Sequence, residues 1–386
     1  MIKIAVLTTT RAEYGLMKQL LFRMNDDPEI KMCLLVTGTH LLPQFGMTVD
    51  EIKKDRLPIA AELPIIVENV EGVDTAKTMS RALTVFSDFF AKNRFDFLLV
   101  DGDRYETLGI CIAAVLNDLP IIHCGGGEVT YGANDDYWRH AITKLSYLHF
   151  PIMEKYKNRI IQMGESPERV FNVGSMGLEN VRKMELADRA EIAEYVGLSL
   201  NKPYALVTFH PVTFEKGDAM EQIDALLNAV NAVEDMQFIF TKANADHEGQ
   251  LINERIESFA AEHHKRIACV ASLGARRYLG AMKCCEFVLG NSSSGIIETP
   301  SFGVPTINVG QRQAGREQAA SIINCDPTTE SILGAIAKAR SAEFKNMCKN
   351  VVNPNGDGRA SERIVKAIKE TYQNKNISMK KPFFDF

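Results

Sequence analysis

The chain has 386 residues, 44 basic and 49 acidic, giving a formal net charge of −5, with 46% hydrophobic and 24% charged residues. That length exceeds what one hydrophobic core fills, so two domains are expected, and the ordinary composition excludes a disordered or fibrous chain. The negative balance and the lack of a basic run argue against a nucleic-acid partner, and no segment approaches the roughly 20 apolar residues that span a bilayer, so no membrane partner is expected.

The first half alternates apolar runs with amphipathic stretches. IKIAVLT (2–8), KMCLLVT (31–37), FDFLLVD (95–101), PIIHC (120–124) and SYLHFP (146–151) read as strands. Tyr14 to Met24, Thr75 to Lys92 and Thr107 to Asn117 read as helices between them. Continuous apolar strands with helical crossovers predict a parallel sheet covered on both faces. A second series follows VFNVGSMG (170–177): YALVTFHP (204–211), MQFIFTKAN (236–244), RIACVAS (266–272), CEFVLGNSS (285–293) and VPTINVG (304–310). The expected fold class is therefore α/β, two doubly wound Rossmann-like domains facing across a cleft. The expected boundaries are 1–174 for the first domain and 175–364 for the second, joined through a candidate hinge at 172–180. The last helical pattern, 359–373, leads into KKPFFDF, whose three phenylalanines suit a tail (365–386) that packs back on the first domain.

The eight cysteines are scattered through apolar strings with no C-x-x-C and no zinc spacing. This predicts reduced thiols, no metal site and a cytoplasmic location. The opening MIKIAVLTTTRAEYG meets Arg11 and Glu13 too early for a signal peptide.

Polar residues collect after strand ends, where open α/β sheets bind ligands: TTTRAEYG (8–15), TGTHLLPQFG (37–46), DGDRYE (101–106), HCGGGEVTYGANDDYWRH (123–140), FHPVTFEKGD (209–218), KANADHEG (242–249), GNSSSGIIE (290–298) and GQRQAGRE (310–317). A G-x-x-x-x-G-K-[ST] loop is absent, and so is G-x-G-x-x-G after the first strand, which argues against a P-loop ATPase and a Rossmann dehydrogenase. GNSSSG after FVL offers backbone N–H groups and hydroxyls to a diphosphate, although it also fits an ordinary serine N-cap. Glu298, further along, suits the two hydroxyls of a ribose. Arg11, Arg104 and Arg312 follow strands and have the fork that binds phosphate oxygens, while each also fits a surface ion pair. His210 lies at a strand end before Pro211. Asp101, Asp103, Glu106, Glu128, Asp135 and Asp136 form the densest carboxylate set, expected to repel one another and to raise a pKa toward general acid–base use. Asp135 or Asp136 is also a candidate N-cap for the helix that follows.

Taken in order, TTTRAEYG, TGTH, GDRYE, GGEVTYGANDDYWRHAITKLSYLHF, FHPVT, GNSSSGIIE and NVGQRQAGRE resemble the UDP-N-acetylglucosamine 2-epimerases, in particular the hydrolysing branch that opens sialic and related nonulosonic acid synthesis. The similarity covers nearly the whole chain. It implies a GT-B-like fold, a UDP-sugar substrate, no cofactor, and a homodimer or higher homo-oligomer. It further implies catalytic roles for Asp103, Asp135, Asp136 and His210, with Glu128 a further catalytic candidate that the motifs do not assign. Substrate or UDP contacts are implied for Arg11, Gly15, His40, Arg104, Arg139, Asn244, Ser272, Ser292, Ser293, Glu298 and Arg312. Two positions depart from the pattern: many members carry Glu where this chain has Gly125, and His where it has Asp101. Either Glu128 or the Asp135/Asp136 pair then covers the missing role, or the sugar differs.

Overall fold

The structure, a computed structural model, describes residues 1–69, 72–129, 134–211, 219–242, 247–374, 377 and 379–385. The chain forms two compact units, Met1–Asn180 with Asn355–Phe386, and Val181–Pro354.

In the first unit the strands are β1 (Ile2–Thr8), β2 (Ile30–Thr37), β3 (Ile59–Leu63), β4 (Glu68–Asn69), β5 (Gly72–Val73), β6 (Phe97–Asp101), β7 (Ile121–Cys124) and β8 (Leu148–Phe150). β4 and β5 form a small antiparallel pair, and the other six make a sheet ordered β3-β2-β1-β6-β7-β8, parallel throughout. Alternation along β1 explains why the strand reads as uniformly apolar: Ile4 and Val6 enter one core with Met17 and Leu20, while Ala5 and Leu7 enter the opposite core with Phe86 and Phe90. Order reverses between β1 and β6, so the loops after these strands flank the sheet's switch point, where open α/β sheets hold ligands.

The second unit repeats the plan with β9 (Tyr204–Thr208), β10 (Gln237–Thr241), β11 (Ile267–Val270), β12 (Phe287–Gly290), β13 (Thr306–Val309) and β14 (Ile322–Cys325). Their order is β11-β10-β9-β12-β13-β14, with the switch between β9 and β12. Val207 faces one core and Leu206 the other.

The division of the chain differs from the expected one at both ends of the second unit. The helix Leu178–Lys183 spans the first crossing, between Asn180 and Val181. The return crossing precedes the final helix, Ala360–Gln373, so that helix belongs wholly to the first unit rather than being cut at residue 364. Its contacts give the reason. Glu179, almost fully buried, accepts hydrogen bonds from Ser361 N (2.6 Å) and Ser361 Oγ (2.7 Å), and Arg23 Nε donates to Ser361 Oγ at 3.0 Å. Ile364 and Ile368 complete the core that holds Met17 and Leu20. Among the described residues no helix is long and apolar enough to cross a membrane.

Candidate active site

The first unit gathers its chemistry after β1, β6 and β7. Thr10 caps the helix Arg11–Asp26, its side chain accepting from Glu13 N. The T-x-x-E spacing is that of a capping box, but Glu13 reaches one residue further back than such a box does. It accepts from Thr9 N at 2.8 Å and from Thr9 Oγ1 at 2.8 and 2.9 Å. Burial pushes Glu13 up to about 7 against these hydrogen bonds, which pull it down.

After β6, Asp101 is held well above the ordinary carboxylate range, first by burial and then by Glu13, Asp103 and Glu128. Asp135 is raised by burial and by Asp103. The expected mutual repulsion is therefore only part of the picture, because Arg139 stands among these groups. Its guanidinium is 4% exposed as a residue, pairs with Asp103, and donates through Nη1 to Asp136 Oδ1 and to the Glu128 carbonyl oxygen, each at 3.1 Å. A buried cation offsets a crowd of anions that the sequence presents without lysines.

The N-cap position of the helix Asp135–Leu145 is Asn134, so neither aspartate of the pair occupies it. Asp135 and Asp136 fill the first turn, where the helix dipole favours anions. On the same helix, Thr143 Oγ1 lies 3.2 Å from His123 Nδ1, and His123 Nε2 lies 2.8 Å from the Gly102 carbonyl oxygen. This histidine, fully buried, ties β7 to the Gly102 turn that carries Asp103.

The remaining first-unit residues are placed differently. Arg104 Nε donates to buried Glu106 at 2.5 Å, at the head of the helix Tyr105–Leu116. Arg11 is exposed and pairs with Glu51 at 3.1 Å. Gly15 is exposed on its helix, with nothing near a Cβ there, so no close approach requires glycine. His40 is fully buried; its ring nitrogens lie 2.9 Å from Thr8 Oγ1 and 2.7 Å from Thr48 Oγ1, so it supports the strand end through both nitrogens. Gly125 has φ +78°, and a Cβ there would sit 3.6 Å from Asp101 Oδ1.

In the second unit the centre is Asn291, 1% exposed and without a signal of its own in the sequence, because one asparagine beside three serines reads as loop. Its Oδ1 accepts from His210 N at 2.7 Å and its Nδ2 donates to His210 O at 2.8 Å, which fixes the backbone that presents the histidine. The Asn291 carbonyl oxygen accepts from Arg312 Nη1 (3.1 Å) and Gln313 Nε2 (2.8 Å). Thus His210 and Arg312, 102 residues apart in sequence, are joined through one residue after β12.

Ser292 holds the N-cap position of the short helix Ser293–Ile297; its Oγ lies 3.1 Å from Ser294 Oγ, which lies 2.6 Å from Tyr278 OH. Gly290 before it has φ +130°, and a Cβ would collide with the Thr208 carbonyl oxygen. Glu298 closes this short helix. Burial raises its carboxyl to about 8, and its Oε2 is shielded from solvent with no hydrogen-bond partner among the described residues. Ser272 is exposed, and its Oγ accepts from Gly274 N at 3.1 Å. Asn244 lies outside the described residues. Among the described residues no group of three or more His, Cys, Asp or Glu is placed to hold a metal ion.

Comparison with known proteins gives this arrangement its context. Over 343 residues the chain is 37% identical to the GDP/UDP-N,N′-diacetylbacillosamine 2-epimerase (hydrolyzing) of Campylobacter jejuni, covering 89% of this chain and 88% of that protein. It is also 37% identical over 384 residues to the polysialic acid biosynthesis protein P7 of Escherichia coli, covering 99% and 97%. The S. aureus MnaA–UDP co-structure shares the fold, with a TM-score of 0.78 at 20% identity over the whole of both chains. The sequence profile described as UDP-N-acetylglucosamine 2-epimerase matches residues 23–369. With its two Rossmann-like units of a GT-B-like fold, the chain belongs to the UDP-N-acetylglucosamine 2-epimerase family.

Proposed function

We propose that the chain is a hydrolysing 2-epimerase that converts UDP-N-acetylglucosamine and water into N-acetylmannosamine and UDP, the opening step of sialic acid-type sugar synthesis. The observation that carries this reading is the set around Arg139: a buried guanidinium binding Asp103, Asp136 and the Glu128 carbonyl, beside carboxyls of Asp101 and Asp135 raised toward protonation. Such a set brings several carboxyls and a fixed cation together, the arrangement that general acid–base chemistry uses.

The C2–H beside an acetamido group is a poor acid, so departure of UDP from C1 leads. The C1–O bond breaks with oxocarbenium character, a carboxylate takes the C2 proton, and the C2–H electron pair becomes the C1–C2 double bond of a 2-acetamidoglucal. Water then adds at C1 while a proton returns to C2 from the opposite face, giving the manno sugar. Deprotonation and reprotonation leave the oxidation state unchanged, so no redox cofactor is called for. Asp103, Glu128, Asp135 and Asp136 are assigned the proton transfers, each worth roughly 10² to 10⁴-fold. His210 and Arg312 are assigned to the leaving diphosphate, where the most negative charge develops as the C1–O bond breaks and where fixed donors lower the barrier most. Ser292 and Ser293 join them, Glu298 takes the ribose, and Arg11, Gly15, His40, Arg104, Asn244 and Ser272 are assigned supporting substrate positions.

A second reading, UDP-2,4-diacetamido-2,4,6-trideoxyglucose as substrate, is supported by the relative named for diacetylbacillosamine and by glycine at position 125. Incubating the protein with each UDP-sugar in D₂O and following products by NMR tests both. Deuterium at C2 of a free manno-configured sugar, with released UDP, is expected, and the faster substrate identifies the sugar. A UDP-linked manno product would place the chain in the non-hydrolysing branch, and no exchange at C2 would refute the mechanism. Asp103→Asn is expected to abolish turnover while leaving UDP affinity within a few fold.

A further inference from the structure

The tail KKPFFDF has no part in the chemistry above, yet it is built into the first unit with unusual care for a chain end. Lys381 Nζ donates to the carbonyl oxygens of Lys144 (2.7 Å) and Ser146 (2.8 Å), and pairs with Glu165 at 2.8 Å. Those carbonyls lie at the C-terminal end of the helix Asp135–Leu145, where main-chain acceptors lack helical partners and a cation is favoured. Glu165 is fully buried and also takes Lys144 Nζ at 2.5 Å and His149 Nε2 at 3.1 Å. Further along the tail, Phe384 N donates to the Gly164 carbonyl oxygen at 2.9 Å, and its ring packs on Ile160, Ile161 and Val170. Phe383 lies against Gly164, whose φ of +88° and lack of a Cβ leave room for that ring.

The two helices held in this way both carry active-site parts. Asp135–Leu145 bears Arg139 with its bonds to Asp103, Asp136 and Glu128. Glu154–Gln162 bears Ile160 and Ile161 and also Arg159, whose Nη1 donates to the Gly127 carbonyl oxygen. A Cβ on Gly127 would lie 2.5 Å from the Tyr156 carbonyl oxygen, so that turn is seated directly on the same helix. We infer that the C-terminal tail is part of the catalytic scaffold, with Lys381 a positioning residue that fixes the helices carrying Arg139 and the Gly125–Glu128 turn. The inference rests on the assignment of catalysis to those residues.

The test uses full-length Lys381→Met, Lys381→Arg and Phe384→Ala. Amide hydrogen exchange, read without substrate, is expected to quicken about tenfold over 125–129 and 135–145 in Lys381→Met as those segments open locally. Displacement of reacting groups by about 1 Å can reduce rate roughly 10²-fold, so kcat is expected to fall about 10- to 100-fold with KM within threefold, and Lys381→Arg to restore most of it. The inference is overturned if Lys381→Met melts at lower temperature but exchanges faster only over 379–385 and keeps kcat within twofold, as tail packing alone would give. If removing a partner of buried Glu165 prevents folding, Phe384→Ala, which unpairs no charge, is judged by the same two outcomes. Should the unmodified chain turn over neither UDP-sugar, the functional assignment fails and the exchange pattern alone decides the role of the tail.

Discussion

Glu13 supplies a quantitative test of the electrostatics at the head of the first helix. The residue is 9% exposed and its carboxyl lies at about 7 instead of 4.5, because loss of water outweighs three hydrogen bonds from Thr9. A raised value means that the folded state holds the proton more tightly than the unfolded chain. Its stabilising effect is therefore full below the unfolded value and is lost as pH climbs through about 7. About 2.5 pKa units correspond to about 3 kcal/mol. Glu13→Gln keeps an acceptor for Thr9 N and does not titrate. The stability of the native chain relative to this variant should thus fall by about 3 kcal/mol between pH 4.5 and 8.

Urea unfolding at the two pH values measures the difference, with fluorescence excited so as to select Trp138. The single tryptophan lies in the first unit and reports on that unit alone. A difference that stays constant within 1 kcal/mol would show that the Thr9 hydrogen bonds keep Glu13 ionised, and that burial does not govern this corner. The same substitution removes the largest charge contribution that keeps Asp101 raised, so it also probes how far the acidic set depends on its surroundings.

Three further outcomes follow from the second unit. If ribose hydroxyls donate to an ionised Glu298, held near 8 when unliganded, UDP affinity should rise with pH from 6 to 8 by up to about tenfold per unit and then level; calorimetry against Glu298→Gln cancels the titration of UDP itself, and a fall with pH would reverse the proposed direction of the hydrogen bond. Asn291→Ala strands the His210 N–H and carbonyl and should destabilise the second unit by about 2–4 kcal/mol while raising KM, whereas an unchanged KM would detach His210 and Arg312 from substrate binding. Gly290→Ala combines a positive φ with a collision at the Thr208 carbonyl, so a loss of about 2–5 kcal/mol in denaturant unfolding is expected, and a loss below 1 kcal/mol would contradict the geometry.

What was legible in the sequence follows the reach of each signal. The ten apolar runs lie on ten of the twelve strands of the two large sheets, whose mostly buried residues leave little polar alternation to confuse them. The other two, the edge strands β3 and β14, carry no such mark, although the edge strands β8 and β11 do. In β3, IAAEL, exposed and half-buried positions alternate and none is buried; β14, IINC, carries the exposed Asn324 among buried and partly buried neighbours. Strand-end loops pointed to the carboxylates, to His210 and to Arg312, since topology alone puts such loops at a ligand crevice. Whether an arginine is exposed, like Arg11, or central and buried, like Arg139, depends on partners far away in sequence, and no local pattern encodes it. The return of the chain at Asn355 had the same difficulty. Ser175 N donates to the Asn355 carbonyl oxygen at 2.7 Å, and a Cβ on Gly356 would come within 2.9 Å of Gly174 Cα, so two glycines about 180 residues apart allow the backbones to meet.

Asp101 and Gly125, singled out in the sequence motifs, are neighbours in space. Asp101 ends β6 and stands in register with Cys124 of β7, so the residue after Cys124 turns back over it. That residue is Gly125, left-handed at φ +78°, a conformation that glycine adopts freely and glutamate does not. A Cβ there would lie 3.6 Å from Asp101 Oδ1 and 3.8 Å from Gly102 N. A glutamate at 125 would therefore bring a second carboxylate beside one that burial and three acidic neighbours already hold well above the ordinary range. Two anions so close cannot both stay ionised without a cation between them. Arg139 is already engaged by Asp103 and Asp136. Glycine at 125 therefore leaves the Asp101 carboxyl without a second carboxylate against it.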